Sequence, residues 1–245
     1  MTTTSRPIAV PTGRSPSDQP NVLVIDIGAA NMKFWCSGTG QTAAVPTGPT
    51  FSPVEFEVGL RTSLVGWAFD SVTVGIPTGV LRDRVYGEPH NMGTGWVGFD
   101  IQSAFAKPTH LINDAVMQAL GSYRGGTMLF LGLGTGLGTA LVADGKPIGL
   151  EIQHLPYKDG MSYEDWTATR AVERLGVEGW REALPPVVKL LKDATVAEYV
   201  VLGGGNLRLL EELPPDCHQG HNANAFLGGY RIWAGAEAQL QASAS

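Results

Sequence analysis

The sequence predicts an α/β protein, and three observations carry that prediction. Short β-branched runs such as Asn21 to Ile27 (NVLVIDI) and Ser71 to Ile76 (SVTVGI) stop at glycine or proline. Longer segments between them read as helices, so strands and helices alternate along the chain. A strand, glycine turn and strand at residues 22–36 also returns in type at residues 127–143, which suggests two related halves.

Residues 1–20 hold four prolines and seven serines or threonines with no apolar period, so a disordered leader is expected there. The run Asn21 to Ile27 stops at Gly28, and Met32 to Cys36 resumes it as a second strand. Gln41 to Val45 would add a third strand antiparallel to these. Pro53 to Trp67 then reads as a helix begun by proline in its first turn. After the strand Ser71 to Ile76, Thr109 to Ile112 forms another, and Asn113 can cap a helix running to about Tyr123. Thr127 to Leu131 and Leu137 to Ala143 flank a glycine loop, and a turn follows at Asp144-Gly145. Ser162 to Leu175 and Gly179 to Leu191 read as helices, with Pro185 and Pro186 breaking the second. Glu198 to Leu202 is a strand ending in Gly203-Gly204-Gly205, and Asn224 to Leu240 is a glycine-containing last helix.

Composition narrows the function classes. With 245 residues, 43% hydrophobic and 16% charged, the chain can bury a core without staples. A net charge of −6 leaves no electrostatic footprint for nucleic acid. No apolar run reaches the roughly 18 residues needed to cross a bilayer, and no secretory signal is visible, so a cytoplasmic protein is expected. Two cysteines far apart in sequence, Cys36 and Cys217, exclude a disulfide framework and a cysteine-rich zinc site. Thirty-two glycines are close to twice the ordinary share of about 7%, as close backbone approach to a ligand requires.

Five constellations could carry chemistry. Asp26 ends a strand beside the turn Gly28-Ala29-Ala30-Asn31, with Lys33 just beyond; successive N–H groups there can cradle an anion and the carboxylate a divalent metal. A plain hairpin turn with a surface acid and lysine reads the same residues equally. Gly132, Gly134, Gly136 and Gly138 alternate around the Thr135 hydroxyl, and a bare backbone suits phosphate, or else a strand packed tightly on its neighbour. Asn113-Asp114 follows a strand and opens a helix, where an acid can accept a hydroxyl proton or merely favour the helix N-terminus. Glu151 and His154 could bond sugar hydroxyls, or be a surface acid and a satisfied histidine. Asn91 and Trp96 form a polar loop with an aromatic anchor.

The order of these pieces resembles the ROK sugar kinases, most closely the short bacterial polyphosphate glucokinases. The matching stretches are Asp26 to Lys33, Pro77 to Val80, Asn91 to Gly98, Ile112 to Ala115, Leu131 to Gly138, Glu151 to His154, Ser162 to Trp166 and Leu202 to Gly205. The resemblance implies a two-lobed, actin-like, hexokinase-type (ribonuclease H-like) fold with a cleft between lobes. The lobes would span 21–114 and 115–245, the final helix returning to the first. It implies Asp114 as general base on the 6-hydroxyl of glucose or a related hexose, and Asn91, Asn113, Glu151 and His154 as sugar ligands. Gly28, Lys33, Gly134, Thr135 and Gly136 would line the phosphate path, and Gly203, Gly204 and Gly205 would meet the nucleotide or the far part of the donor. Asp26 would orient Mg²⁺, polyphosphate or ATP would be the donor, and a homodimer is expected.

Three residues depart from that family's pattern. Ala29 and Ala30 replace a Gly-Ser/Thr pair, which would cost on the order of 1 kcal/mol if position 29 needs positive φ. Gln153 stands where a glycine is usual beside the sugar. They motivate an alternative, a sugar-binding protein that has lost catalysis. A repressor of the same family would need an N-terminal helix-turn-helix, which 20 proline-rich residues cannot build.

Overall fold

The computed structural model describes residues 20–241, with side chains through residue 233; nearly all of the leader expected at 1–20 lies outside them. Strand β1 (Val22–Ile27) is buried at every position. Its unbroken apolar run fits a strand covered on both faces. It pairs antiparallel with β2 (Asn31–Cys36), which pairs antiparallel with β3 (Thr42–Pro46). Helix α1 (Pro53–Ser63) starts where the Glu55 carboxylate accepts the Ser52 N–H at 3.0 Å, and buries Phe56 and Leu60. Strand β4 (Ser71–Ile76) lies parallel beside β1. A small hairpin of β5 (Val80–Leu81) and β6 (Arg84–Val85) precedes β7 (Thr109–Asn113), which runs parallel to β4. The first sheet has the order β3-β2-β1-β4-β7.

Helix α2 (Asp114–Ser122) leads to the second sheet. Strands β8 (Thr127–Leu133), β9 (Leu137–Ala143) and β10 (Lys146–Leu150) form an antiparallel meander. After β11 (Pro156–Lys158), β12 (Met161–Ser162), α3 (Tyr163–Thr167) and α4 (Thr169–Ala194), strand β13 (Tyr199–Gly203) enters parallel to β8. Strand β14 (Cys217–Gln219) completes the order β10-β9-β8-β13-β14. Both sheets therefore carry a three-strand meander with two parallel strands added at its first strand, so the echo between 22–36 and 127–143 is a repeat of topology.

Each sheet has its own core. Phe34, Phe56 and Trp96 pack with β1 and β4 in the first, and Trp180, Leu184 and Val187 pack on β8 and β13 in the second. Helix α5 (Asn224–Gln241) lies against α2 and β1. The two helices cross in backbone contact: a β-carbon on Gly228 would sit 1.7 Å from the Met117 carbonyl oxygen, and one on Gly121 1.8 Å from that of Asn224. Only glycine at both positions permits so close an approach.

The helix break expected at Pro185 and Pro186 is not there. Helix α4 runs through both prolines, and its interruption lies at Gly176, where φ is 72° and ψ 169°. Ala168, with ψ 179°, separates α3 from α4, so Ser162 to Leu175 is not one helix either. The prolines remove two N–H donors, but a buried stripe of Trp180, Leu184, Val187, Val188 and Leu191 holds the segment helical. Two strand edges have particular finishes. At β7 the Asp83 carboxylate, on the tip of the β5–β6 hairpin, accepts the Leu111 N–H at 3.1 Å. Strand β10 is exposed along nearly its whole length and carries Lys146 and Pro147.

Candidate active site

Parallel pairing brings the carboxyl ends of β1, β4 and β7 to one edge of the first sheet, the side on which open α/β sheets place ligands. Asp26 pairs in register with Gly75, and Gly75 with Ile112, so Asp26 lies one row from Asn113. A β-carbon on Gly75 would fall 2.4 Å from the Met117 Cε and 3.5 Å from the Asp114 Cα, so β4 is bare where the Met117 side chain of α2 packs on it. The Asn113 side chain accepts the N–H groups of Ala115 (2.8 Å) and Val116 (3.3 Å) and donates to the Thr78 carbonyl at 3.0 Å. Its oxygen is thus an N-cap, and its amide keeps one further N–H for a ligand.

Asp114 opens α2. Burial raises its pKa to about 7, helped by the charges of Asp26 and Glu151, while the Ala115 N–H opposes the shift. Burial also pushes Asp26 up, against the pull of Lys33, whose Nζ is 3.9 Å away. Two desolvated acids facing one another is an arrangement that divergent acid and base roles, or a dication, would exploit. Among the described residues no group of three or more His, Cys, Asp or Glu could hold a metal unaided. That donor set suits Mg²⁺, which keeps its waters and takes one or two carboxylates plus substrate phosphates. Asp26 is the residue that would hold it.

The second sheet contributes the opposite wall. Glu151 follows β10, and burial raises its pKa despite the Gln153 amide and the nearby histidines. Its Oε2 lies 3.6 Å from His154 Nε2, and the His154 ring meets that of His90 at 5.2 Å between centroids. A β-carbon on Gly79 would lie 3.5 Å from Glu151 Oε1, so the loop after β4 reaches the same carboxylate. Glu151 and His154 therefore meet the loop that carries exposed Asn91, one residue past His90. Gln153 does not stand free beside the sugar position. It is 8% exposed, with Oε1 3.0 Å from the Thr139 hydroxyl and its amide donating to Glu151 at 2.5 Å, which makes it a strut behind that carboxylate.

The glycine loops meet at the end of the second sheet. Gly132 and Gly138 face each other across β8 and β9, while Gly134, exposed Thr135 and Gly136 make the turn. The space beside Gly134 and Gly205 is open to a distance of 4 Å. Gly204, at φ 89°, packs onto Leu133, where any β-carbon would fall 2.2 Å from the carbonyl oxygen, so Gly203 to Gly205 are held beside the end of β8. Asn206 and Thr169 both bond the Gly134 carbonyl, at 3.4 and 2.9 Å. The Gly28 turn is closed by its N–H to the Asn31 carbonyl at 3.0 Å, and the Thr47 hydroxyl donates to the Gly28 carbonyl at 2.6 Å.

The cost expected at Ala29 is not incurred. Neither Ala29, Ala30 nor Asn31 is among the residues with positive φ, so the turn forms without left-handed geometry. Ala29→Gly is accordingly expected to leave stability equal or lower in thermal melts, because glycine adds unfolded-state entropy. A clear gain in melting point would restore the strain argument. The motif at Ser162 to Trp166 hid a further site residue. Glu164 lies on the first turn of α3, and its Oε2 accepts the Leu137 N–H at 2.9 Å inside the glycine turn. A Ser-x-x-Asp capping box was readable there, but the landing place of the carboxylate between Ser162 and Asp165, 27 residues from its partner, was not.

No family model matches the sequence, and no curated protein does. Solved structures do. A polyphosphate/ATP-glucomannokinase from Arthrobacter sp. strain KM is similar at 22% identity and TM-score 0.74, over 88% of this chain and 99% of its own. A ROK family glucokinase from Streptomyces griseus, in complex with glucose and AMPPNP, is similar at 17% identity and TM-score 0.68, over 86% and 98%. A ROK family transcriptional regulator, a homologue of the E. coli MLC protein, is similar at 14% identity and TM-score 0.64, over 91% and 79%. Identities this low carry architecture and not activity, and the architecture of this chain is the two-sheet, actin-like fold of the ROK-family sugar kinases.

Proposed function

We propose that this protein is a sugar kinase that transfers a phosphoryl group from polyphosphate or ATP to the 6-hydroxyl of glucose or a related hexose. The observation that carries the reading is Asp114. It is a desolvated carboxyl with a pKa of about 7, raised in part by the charges of Asp26 and Glu151, and the next residue, Ala115, packs on Gly138 of the glycine-rich strand pair. A general base is most effective when its pKa lies near the working pH.

The sugar would be held by Glu151, His154, Asn91 and the remaining Asn113 N–H, with its reacting hydroxyl on Asp114. As the hydroxyl oxygen bonds to phosphorus, its proton passes to Asp114, and the P–O bond to the rest of the donor breaks on the side of the glycine turns. Gly28, Gly134, Thr135 and Gly136 would line the phosphate path, and Gly203 to Gly205 the far part of the donor. Lys33 would stabilise charge there. Bound at Asp26 and the donor phosphates, Mg²⁺ would supply charge neutralisation. Residues 21–114 and 115–245 would move as two lobes, closing on sugar to exclude water and suppress donor hydrolysis. Two of the three residues behind the binding-only alternative no longer favour it, because Ala29 is unstrained and Gln153 is committed to Glu151; Ala30 still lacks the hydroxyl of the family's loop.

The test is a coupled assay for glucose 6-phosphate with Mg²⁺ and either ATP or long-chain polyphosphate. Product formation lost in Asp114→Asn is the expected result; silence with both donors overturns the reading. With Asp114 as base, kcat/KM for the sugar is expected to climb about tenfold per pH unit below pH 7 and level off above it. A flat profile from pH 5.5 to 8 would remove Asp114 from that role.

A further inference from the structure

The glycine turn expected to receive phosphate already holds an anion from the chain itself. Glu164 is only 17% exposed in its side chain; one carboxylate oxygen accepts the Leu137 N–H, and a β-carbon on Gly136 would lie 2.6 Å from it. The other oxygen pairs with Arg170, whose Nε also lies 3.1 Å from Asp165 Oδ1. Arg170 is half-exposed and sits next to Thr169, which bonds the Gly134 carbonyl through both its N–H and its hydroxyl. The Glu164 charge also adds to the upward shift at Glu151.

A phosphoryl donor entering this turn meets four carboxylates, Asp26, Asp114, Glu151 and Glu164. A polyanion brought against so many like charges needs cations beyond Lys33. Arg170 is the guanidinium already at the turn, and its planar fork suits phosphate as well as carboxylate. We propose that Glu164 is a built-in stand-in for the donor's phosphate: the donor displaces it from the Leu137 N–H, and Arg170 passes from Glu164 to the donor. Arg170 is then a donor-binding residue and Glu164 its positioning residue. The exchange keeps the turn formed and the arginine aimed while no donor is bound.

The inference rests on the kinase reading, so its test reads binding as well as turnover. The full chain, with Mg²⁺, is titrated calorimetrically with ATP and with tripolyphosphate, using Glu164→Gln, Arg170→Met, Arg170→Lys and the Glu164→Gln/Arg170→Met double variant. Glutamine can still accept the Leu137 N–H, so the turn keeps its anchor while the competing charge is gone. The expected results are a donor Kd lowered about threefold or more in Glu164→Gln and raised about tenfold in Arg170→Met, with partial rescue by lysine. The decisive readout is coupling. Arg170→Met should cost several-fold more in the Glu164→Gln background than in the parent, because there the donor no longer competes with the Glu164 charge for the arginine, while the Asp165 contact is the same in both backgrounds. Additive effects, or variants whose Kd for both donors matches the parent's, overturn the exchange. A parent that binds neither donor overturns it too. A parent that binds donor without forming sugar phosphate defeats the kinase reading alone, and the coupling still decides the exchange.

Discussion

Asp114→Asn is expected to keep sugar affinity within a few-fold of the parent while turnover falls by roughly 10²-fold or more. The asparagine oxygen can still accept the Ala115 N–H, which Asp114 takes at 2.8 Å, so the first turn of α2 stays in place. What is lost is the site for the hydroxyl proton. Sugar calorimetry alongside single-turnover kinetics checks the split, and equal loss in binding and turnover would make Asp114 a sugar ligand only. The same substitution has an opposite effect on the fold. In the unfolded chain this carboxyl titrates near 3.8, and in the native protein at about 7. Between those values the folded form holds a proton that the unfolded form has released, so native stability declines as pH rises, and the whole cost is present above pH 7. Asparagine carries no such cost. Thermal melts should therefore show the variant gaining on the parent from pH 5 to pH 8, by at most about 3 kcal/mol over that range. A constant difference across that range would mean that Asp114 is not desolvated in solution.

Gly228→Ala is expected to be the most damaging single added methyl among the glycines of the described residues. The added carbon would lie 1.7 Å from the Met117 carbonyl oxygen, and that neighbour is backbone, which has no rotamer to yield. Helices α2 and α5 must separate, and α2 carries Asp114 at its first residue. A loss of about 3 kcal/mol or more is expected, read as a melting point lower by roughly 6–12 °C. Turnover should fall further than stability alone accounts for, since the base moves with its helix. A melting point within about 2 °C of the parent would show that the crossing relaxes cheaply.

How legible this molecule was depended on whether a feature is local. The strands beginning at Val22 and Ser71 could be read because β-branched runs end at glycine or proline, and the one beginning at Thr127 because a short apolar run stops at a glycine loop. The cap at Asn113 could be read because its bonds reach only two and three residues ahead. The short strands β5, β6, β11, β12 and β14 span two or three residues each and carry no usable period. Pro185 and Pro186 misled because a local signal met a larger tertiary one, the stripe from Trp180 to Leu191 buried on the second sheet. The site divided in the same way. Asp114, Glu151 and His154 stood out as residue types at element ends, whereas the strut at Gln153 and the carboxylate of Glu164 depend on partners on β9. The Ala29 argument failed because a backbone angle had been inferred from a resemblance, and this turn closes through the Asn31 carbonyl with ordinary angles.

The two strand edges beside this machinery bear on how the protein behaves in a crowded solution. An outer strand with free amides is a template on which another molecule can grow a sheet, and open α/β sheets are exposed to that hazard at both flanks. Here the Leu111 amide of β7 is already satisfied by Asp83, and Lys146 and Pro147 on β10 offer a charge and a ring lacking N–H where an extended segment would need a donor. Resistance to polymerisation thus resides in a few side groups to which no part in the chemistry is assigned. Replacing Asp83 or Pro147 would cost solubility at high concentration well before it altered any rate.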